Sequence, residues 1–395
     1  MKEIPFTWPK GFHSDATTAG FKPDHQLDLT WLVSDVPAAA AGVYTKNQFQ
    51  AAPLQLTKYK INLKHQLQAV VINSGNANSF TGAEGLRNAT SQANMVAEKL
   101  DIDPSLAGVA STGIIGKQLN MIKFKNGLAH LKLTDKTTAT EAILTTDTHA
   151  KKISVQLELD GKMVTLTGFA KGSGMIHPNM GTTLTFISTD AAVDPGVLQG
   201  ILSQEITTSF NQITVDGCMS TNDMVLVMAN GVAGNQVLNA KHPQLADFIQ
   251  AFKTVLVTLA KMVAADGEGA TKLIEAKVLH AANNQQALQV AKAIVGSNLI
   301  KAMIFGQDAN WGRIVQAIGQ TQAAVDPSHL SIQVGDQVLV QNSELQKINS
   351  AALAKWLDQD QIKISVDLNV GQGKGLAWGC DLTYKYVEIN AAYED

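Results

Sequence analysis

The stretch KGSGMIHPNMGTTLTFIS, from Lys171 to Ser188, lies near the middle of the 395-residue chain. It begins with glycines, continues through proline and asparagine, and then alternates like a β-strand from Thr183 to Ile187. This composition predicts a turn that leads into a strand. The turn is either an ordinary connection or a place where the chain cuts itself, and the surrounding sequence decides between the two.

A β-hairpin is predicted directly upstream of this stretch. Apolar residues alternate over residues 153–159 and again over residues 163–169, and Asp160-Gly161 between them is typical of a type I′ turn. The hairpin delivers the chain straight into the turn that begins at Lys171.

Strands and helices are both recognisable in the rest of the chain. Apolar or alternating runs predict strands at residues 68–72, 362–370 and 382–389. Periodic apolar faces predict helices over residues 86–100 and 248–263. Because regular βαβ alternation is weak, we expect an α/β fold with α+β-like layers, in which mixed or antiparallel sheets pack between helices.

The composition is that of a soluble protein with a large core: 45% of residues are hydrophobic, 16% are charged, and the net charge is -3. No run of like charges points to nucleic acid or to an anionic membrane. The two cysteines, Cys218 and Cys380, are too few for a disulfide scaffold. The first residues lack the apolar core of a signal peptide, and the longest apolar run is interrupted by Lys261 and too short to span a bilayer. We therefore expect a cytoplasmic protein.

Motifs for common cofactors are missing from the sequence. Lys374 follows a glycine but precedes another, so the GxxxxGK[ST] phosphate loop is not formed, and no GxGxxG opens a helix after a strand. The histidines show no HxxxH pairing, and there is no GxSxG elbow. His177 is a candidate general base, although a loop histidine before proline is more often structural. We expect no metal and no bound cofactor.

The remaining candidate nucleophile is a threonine. A threonine hydroxyl needs a base beside it, and one solution makes the threonine the first residue of a chain, so that its own α-amine is the base. The ordinary pKa of an α-amine is about 7.7–8, so much of it is neutral near physiological pH. An internal threonine reaches this state when its hydroxyl attacks the preceding carbonyl and water then releases the amine. A preceding glycine relaxes the steric limits on the turn that this step needs.

The segment from Lys171 to Thr182 closely resembles the processing site of the ornithine acetyltransferase family, the glutamate N-acetyltransferases of arginine biosynthesis. Other motifs similar to those of the family follow one another over nearly the whole chain: AAGVYTKNQFQAAP, INSGNAN, STGIIG, ILTTDT, VDGCMSTND, DGEGATK, FGQDANWGRI and WGCDLTYKYVEIN. Each motif alone is a weak signal, but the ordered series is highly specific. The chain is therefore identified from its sequence as a member of this family.

The resemblance implies a precursor that cuts itself between Gly181 and Thr182. Residues 1–181 would be an α chain with the oxyanion hole and substrate contacts, and residues 182–395 a β chain that starts with the nucleophile, in an N-terminal-nucleophile-like architecture. Thr182 would take the acetyl group of N-acetylornithine as an ester and pass it to glutamate, in a ping-pong reaction of the cyclic arginine pathway. The sequence leaves open whether acetyl-CoA is also a donor, which would make the enzyme multifunctional.

The resemblance also assigns roles to individual residues. The Thr112 hydroxyl and the Gly113 N–H match the oxyanion pair of the family. Lys171 matches a substrate-contacting lysine, and an ammonium suits a substrate carboxylate. Glu268 matches a substrate-contacting glutamate, and a carboxylate suits the amine of an amino acid.

Two further contacts are less narrowly placed. The TTDT motif supplies one substrate contact, and the choice between Thr145 and Thr146 stays open. Asn390 matches a substrate-binding asparagine near the C-terminus, and Thr182 itself belongs to the substrate-binding set.

The sequence departs from the family pattern at three positions. Gly181 stands where alanine is frequent, and Thr183 stands where methionine is usual, so two adjacent hydroxyls compete for the nucleophile; the spacing to Lys171 favours Thr182. Asp395 stands at a substrate-binding position that is usually threonine or serine. Its carboxylate would repel a substrate carboxylate.

The family also suggests an assembly of two α and two β chains. Two alternative functions stay open at this point. One is a related N-terminal-nucleophile amidohydrolase or aminopeptidase, which would pass the acyl group to water. The other is an uncleaved protein that binds an amino-acid derivative, for which Asp395 is the support.

Overall fold

The structure is a computed structural model that describes residues 1–177, 183–308, 310–347 and 349–392. Its strands, numbered in chain order, are β1 (Lys2–Ile4), β2 (Phe12–Thr17), β3 (Leu29–Tyr44), β4 (Gln66–Asn73), β5 (Ala107–Ser111), β6 (Lys151–Leu159), β7 (Lys162–Lys171), β8 (Leu184–Thr189), β9 (Ile213–Thr214), β10 (Met224–Ala229), β11 (Leu273–Ala281), β12 (Ser331–Val334), β13 (Gln337–Gln341), β14 (Glu344–Leu345), β15 (Gln361–Asp367) and β16 (Gly373–Cys380). Its α-helices are α1 (Ala52–Lys64), α2 (Gly82–Leu100), α3 (Met121–His130), α4 (Ala139–Ala142), α5 (Pro195–Glu205), α6 (Leu245–Ala265), α7 (Asn284–Gly296), α8 (Asn298–Phe305), α9 (Gly312–Gly319), α10 (Ser350–Leu357) and α11 (Tyr384–Ala391).

The first sheet is mixed and contains strands from both sides of the predicted cleavage point. Its order is β1-β6-β7-β8-β10-β3-β4-β5, with β2 paired to β3. Leu184, at the start of β8, lies opposite Lys171 at the end of antiparallel β7 and opposite Met224 at the start of parallel β10. The two predicted chains therefore share one sheet, and the start of β8 lies beside the end of β7.

The hairpin of β6 and β7 has the predicted turn. Asp160 and Gly161 both have positive φ, 51° and 71°, as a type I′ turn requires, and glycine and aspartate tolerate this conformation. The two strands then pair in continuous antiparallel register from Leu159 and Lys162 to Lys151 and Ala170.

Helix α6 packs on β6 and β7. Its predicted apolar face is buried, including Phe252, Val255 and Leu259. The helix has 21 residues, and the mean hydropathy of its most apolar 18 residues is 1.5, so by length and composition alone it could cross a membrane and the expectation that this run is too short was wrong. Since half of these 18 residues are buried within the protein, the helix also fits the role of a core helix.

The second sheet belongs entirely to the C-terminal half. Its order is β14-β13-β12-β15-β11-β16-β9, with β11 parallel to β15 and antiparallel to β16. Helix α7 packs on β11 and β16 through buried residues such as Val290 and Ile294. Two mixed sheets with packed helices confirm the expected α/β class.

Two predictions near the C-terminus were inaccurate. The strand expected over residues 362–370 ends at Asp367. The segment 382–389 forms most of helix α11 and is not a strand, because the Thr383 side chain accepts a hydrogen bond from the Lys385 N–H and caps the helix. The last strand is β16, and its glycine-rich sequence carries little strand signal.

Candidate active site

A cavity of about 470 Å³ opens at the start of β8. Thr183 and Leu184 line it, so it lies at the residues that directly follow the predicted nucleophile. Gly181, Thr182 and Asp395 lie outside the described residues. The other predicted site residues all line this cavity: Thr112, Gly113, Thr145, Thr146, Lys171, Glu268 and Asn390.

The turn Ser111-Thr112-Gly113, which carries the predicted oxyanion pair and is called the oxyanion turn below, packs against the NSGNAN loop of residues 73–78. The Thr112 N–H donates to the Asn73 carbonyl at 3.0 Å. Gly113 has a φ of 128°, and a Cβ on it would lie 2.4 Å from the carbonyl carbon of Gly75 and 2.5 Å from the nitrogen of Asn76. Only glycine fits this position, because the two loops touch through their backbones.

A buried amide ties the same turn to the segment before β10. Asn222 donates from Nδ2 to the carbonyls of Ala77 at 2.6 Å and Ser111 at 2.8 Å. The oxyanion turn is therefore clamped from two sides, as an oxyanion hole requires if its donors are to be fixed before the reaction.

Lys171 reaches into the cavity from the end of β7. Its Nζ lies 3.5 Å from Thr112 Oγ1. A cation beside the oxyanion turn places positive charge where a substrate carboxylate or a developing oxyanion would be stabilised.

A buried ion network holds three of the loops that line the cavity. Lys151 is fully buried and contacts Asp147 Oδ1 at 2.6 Å and Asp266 Oδ2 at 2.5 Å. Asp147 also accepts the Gly172 N–H at 2.6 Å. Burial on its own raises the pKa of Asp147, but the nearby Lys171 and Lys151 charges lower it to about 2. The network therefore joins three loops: the TTDT loop of residues 145–148, the loop after Lys171, and the DGEG loop of residues 266–269.

Glu268 and Asn390 both line the cavity and contact each other. Asn390 Nδ2 donates to Glu268 Oε2 at 2.7 Å, which ties α11 to the loop that carries Glu268. A Cβ on Gly174 would lie 2.3 Å from the Glu268 carboxyl carbon, so the glycine leaves room for this side chain. The cavity thus presents a carboxylate as well as the Lys171 ammonium, a pairing that complements the two charges of an amino acid.

Asp223 is a cavity residue to which sequence analysis gave no role. Its side chain is buried, and burial raises its pKa to about 7 in spite of hydrogen bonds from Ser220 and Thr183 and the charge of Lys171. The signal was the motif VDGCMSTND, which ends at Asp223. A motif cannot reveal an unusual ionisation, because that depends on burial in the folded chain.

Thr183 is in a strained conformation. Its φ is 132°, which is unfavourable for a β-branched residue, and its side chain is buried and hydrogen-bonded to Thr185 Oγ1 at 2.7 Å. Such strain costs about 1–3 kcal/mol and is concentrated at functional sites.

His177 does not line the cavity. Its Nδ1 lies 2.9 Å from Thr214 Oγ1, and burial lowers its pKa to about 4, helped by the charge of Lys292. Across residues 1–177, 183–308, 310–347 and 349–392, no group of three or more His, Cys, Asp or Glu side chains is placed to hold a metal ion.

Comparisons with known proteins identify a family. A family profile described as the ArgJ family matches residues 13–395. The arginine biosynthesis bifunctional protein ArgJ of Lactiplantibacillus plantarum is 54% identical over 393 residues, which cover 100% of this chain and 98% of that protein.

Two solved structures are also similar to the chain. The crystal structure of arginine biosynthesis bifunctional protein ArgJ from Bacillus halodurans has a TM-score of 0.52 and 51% identity, and the match covers 53% of this chain and 98% of that one. An ornithine acetyltransferase from Mycobacterium tuberculosis, complexed with ornithine, has a TM-score of 0.41 and 33% identity, with 45% of this chain and 98% of that one covered.

Proposed function

The chain belongs to the ArgJ family, as its ordered motifs predicted, and from this premise we propose that it is a self-processing glutamate N-acetyltransferase. In the first half-reaction the Thr182 hydroxyl oxygen bonds to the acetyl carbon of N-acetylornithine, the C–N bond breaks, and ornithine leaves with the hydroxyl proton. In the second, the amine of glutamate takes the acetyl group and Thr182 regains a proton. The acetyl group thus moves between two amino acids without net hydrolysis.

The observation that carries this proposal is one cavity at the start of β8. It is lined by Thr112 and Gly113, the proposed oxyanion pair, by the basic residue Lys171 and by the acidic residue Glu268. An acetylated amino acid offers a carbonyl, a carboxylate and, in ornithine, a free amine, and each of these groups has a complement in the cavity.

Self-cleavage between Gly181 and Thr182 is part of the proposal. It would give an α chain of residues 1–181 and a β chain of residues 182–395. The backbone strain at Thr183, the residue after the proposed nucleophile, supports a functional role for this part of the chain. The Bacillus halodurans crystal chain is matched over 98% of its length by 53% of this chain, so it is about half as long as this protein. A chain of that length is what cleavage near the middle would produce.

The experiment is an acetyl-transfer assay with purified wild type and Thr182→Ala. We expect wild type to form N-acetylglutamate from N-acetylornithine only when glutamate is present, and the variant to stay uncut and inactive. Release of acetate without any dependence on glutamate would support the hydrolase instead. A Thr182→Ala protein that still transfers the acetyl group would show that another residue is the nucleophile.

A second acetyl donor is proposed because the relative at 54% identity is named a bifunctional protein. We propose that acetyl-CoA also acetylates Thr182, with free CoA as the leaving group. Formation of N-acetylglutamate from acetyl-CoA and glutamate by wild type, and its loss in Thr182→Ala, would support this; no product from wild type would rule it out.

The assembly and location of the enzyme are also proposals. We propose two α and two β chains in a cytoplasmic enzyme that requires neither a metal nor a resident cofactor. Since β7 and β8 pair across the predicted cleavage point, the two chains would stay together after cleavage. Light scattering combined with size exclusion would give the mass of the assembly.

A further inference from the structure

Self-cleavage needs a proton acceptor other than the α-amine that the mature enzyme would use. In the precursor the nitrogen of Thr182 is part of a peptide bond, so no α-amine exists to take the hydroxyl proton. Another group has to accept that proton and deliver it to the nitrogen as the C–N bond breaks. The titratable side chains that line the cavity, among the described residues, are Lys171, Asp223 and Glu268.

Asp223 is the one of the three whose carboxyl contacts the backbone of Thr183, the second residue after Gly181. It precedes β10, and its neighbour Met224 donates its N–H to the Thr183 carbonyl at 2.9 Å. The carboxyl of Asp223 in turn accepts the Thr183 N–H, one residue from the predicted scissile bond. Glu268 lies on another loop and is bonded to Asn390, and a lysine ammonium has no lone pair to offer.

The surroundings of Asp223 leave it able to exchange a proton. Ser220 hydrogen-bonds to its carboxyl, and Lys171, at the end of β7, is the charged group that faces it. No ion pair within 4.0 Å joins Asp223 to a cation among the described residues. With a pKa raised to about 7 by burial, both its acid and its base form are present near neutral pH.

We propose that Asp223 carries the proton during self-cleavage at Gly181–Thr182, an inference that rests on the proposed function. As the Thr182 oxygen bonds to the Gly181 carbonyl carbon, the Asp223 carboxylate takes the hydroxyl proton. It gives this proton to the Thr182 nitrogen as the C–N bond breaks, which leaves an ester and a free amine. Water then attacks the ester, the C–O bond breaks, Thr182 recovers its hydroxyl, and the Gly181 carboxylate is released.

The test follows the cleavage of newly made precursor of wild type and Asp223→Asn. Both are synthesised in a cell-free system at pH values on either side of 7, and the cut fraction is followed over time by gel and intact mass. The asparagine retains an oxygen that can accept the Thr183 N–H but cannot take a proton. We expect its rate constant for cleavage to be about 100- to 10,000-fold lower, the usual contribution of proton transfer.

The pH dependence separates proton transfer from a structural role. For wild type the rate constant should rise as pH increases through about 7 and then level off, because the carboxylate is the form that accepts the proton. Asp223→Asn should lose this rise, and Asp223→Glu should recover part of the rate with a shifted midpoint. An Asp223→Asn protein that is slow but keeps the wild-type pH profile would overturn the proposal.

Asp190→Asn is the matched control. Asp190 follows β8 at its other end, its pKa is also raised by burial, and it accepts the N–H groups of Thr165 and Lys10, but it does not line the cavity. We expect this variant to be cut at the wild-type rate. If wild type is not cut at all, the proposed self-processing fails; if wild type and Asp223→Asn are cut equally fast, the role of Asp223 alone fails.

Discussion

Two buried carboxyl groups near the same cavity have pKa values that are shifted in opposite directions. Asp147 is in contact with Lys151, and its pKa is lowered to about 2, whereas Asp223 has no such ion pair among the described residues and its pKa is raised to about 7. Burial raises the pKa of both, so the difference comes from the neighbouring cations. One carboxylate is fixed as a charge that holds loops together, and the other is left able to exchange a proton.

The largest expected effect is on the ion network. Lys151→Met would leave Asp147 and Asp266 buried beside each other without their shared cation, and we expect the free energy of unfolding to fall by about 3–5 kcal/mol. Chemical denaturation measures this loss. Lys152→Met is the control, because Lys152 is partly exposed and lies 3.7 Å from Glu141, a pair worth about 1 kcal/mol or less. Equal losses of unfolding free energy in the two variants would show that the buried network stabilises the protein no more than an exposed ion pair does.

The second prediction compares Asp147→Asn and Asp223→Asn, both made in Thr182→Ala so that every protein stays uncut. The folded pKa of Asp147 is about 2, below its ordinary 3.8, so its stabilisation is present above pH 3.8 and lost as pH falls through about 2. Asp147→Asn should therefore be less stable than its parent at neutral pH by about 2 kcal/mol or more.

Asp223 should behave in the opposite way. Its folded pKa of about 7 lies above 3.8, so its contribution is fully present below pH 3.8 and is lost as pH rises through about 7. Asp223→Asn should gain stability relative to its parent as pH rises, by about 1–4 kcal/mol above pH 7. Denaturation curves at several pH values check both signs, and the same sign for the two variants would contradict the comparison.

The third prediction concerns substrate binding. Glu268→Gln keeps an oxygen for Asn390 but removes the charge that would face a substrate amine. A hydrogen bond to a charged group is worth about 1.5–3 kcal/mol, so we expect kcat/KM for N-acetylornithine to fall about 10- to 100-fold. Steady-state kinetics measure it, with Glu388→Gln, an exposed residue of α11 paired with Lys385, as the control. An unchanged kcat/KM would remove Glu268 from the substrate site.

The smallest expected effect concerns the strained residue. Thr183→Gly would relieve the φ of 132°, since glycine adopts this conformation freely. If the strain assists cleavage, releasing about 1 kcal/mol of it would slow self-cleavage about 5-fold. Time courses of precursor cleavage measure the rate, and Thr185→Ser is a mild control that keeps the hydroxyl bonded to Thr183. Faster cleavage in Thr183→Gly would show that the strain has no part in the reaction.

Local signals in the sequence predicted much of the fold. The Asp160-Gly161 turn has a backbone requirement that few residues meet, and the α6 face repeats over several turns, so both patterns were decisive. The segment 382–389 was wrongly predicted as a strand. Alternation over a few residues is a weak signal, and the Thr383 side chain caps a helix that begins at Tyr384.

The site was predicted unevenly. Ordered motifs pointed to residues that the fold brings to one cavity, including Thr112, Lys171 and Glu268, from segments far apart in the chain. Sequence analysis gave Lys151 and Asp223 no role. A lysine at the start of a strand is usually expected at the surface, and the pKa of a carboxyl depends on its surroundings in the folded chain. Their functions depend on contacts between elements, which no local pattern contains.

The most direct test of the central claim is the intact mass of purified wild type after brief exposure to N-acetylornithine without glutamate. The account predicts two chains, of residues 1–181 and 182–395, with one acetyl group on the second chain that disappears when glutamate is added. A single 395-residue chain, or an acetyl group on residues 1–181, would contradict it.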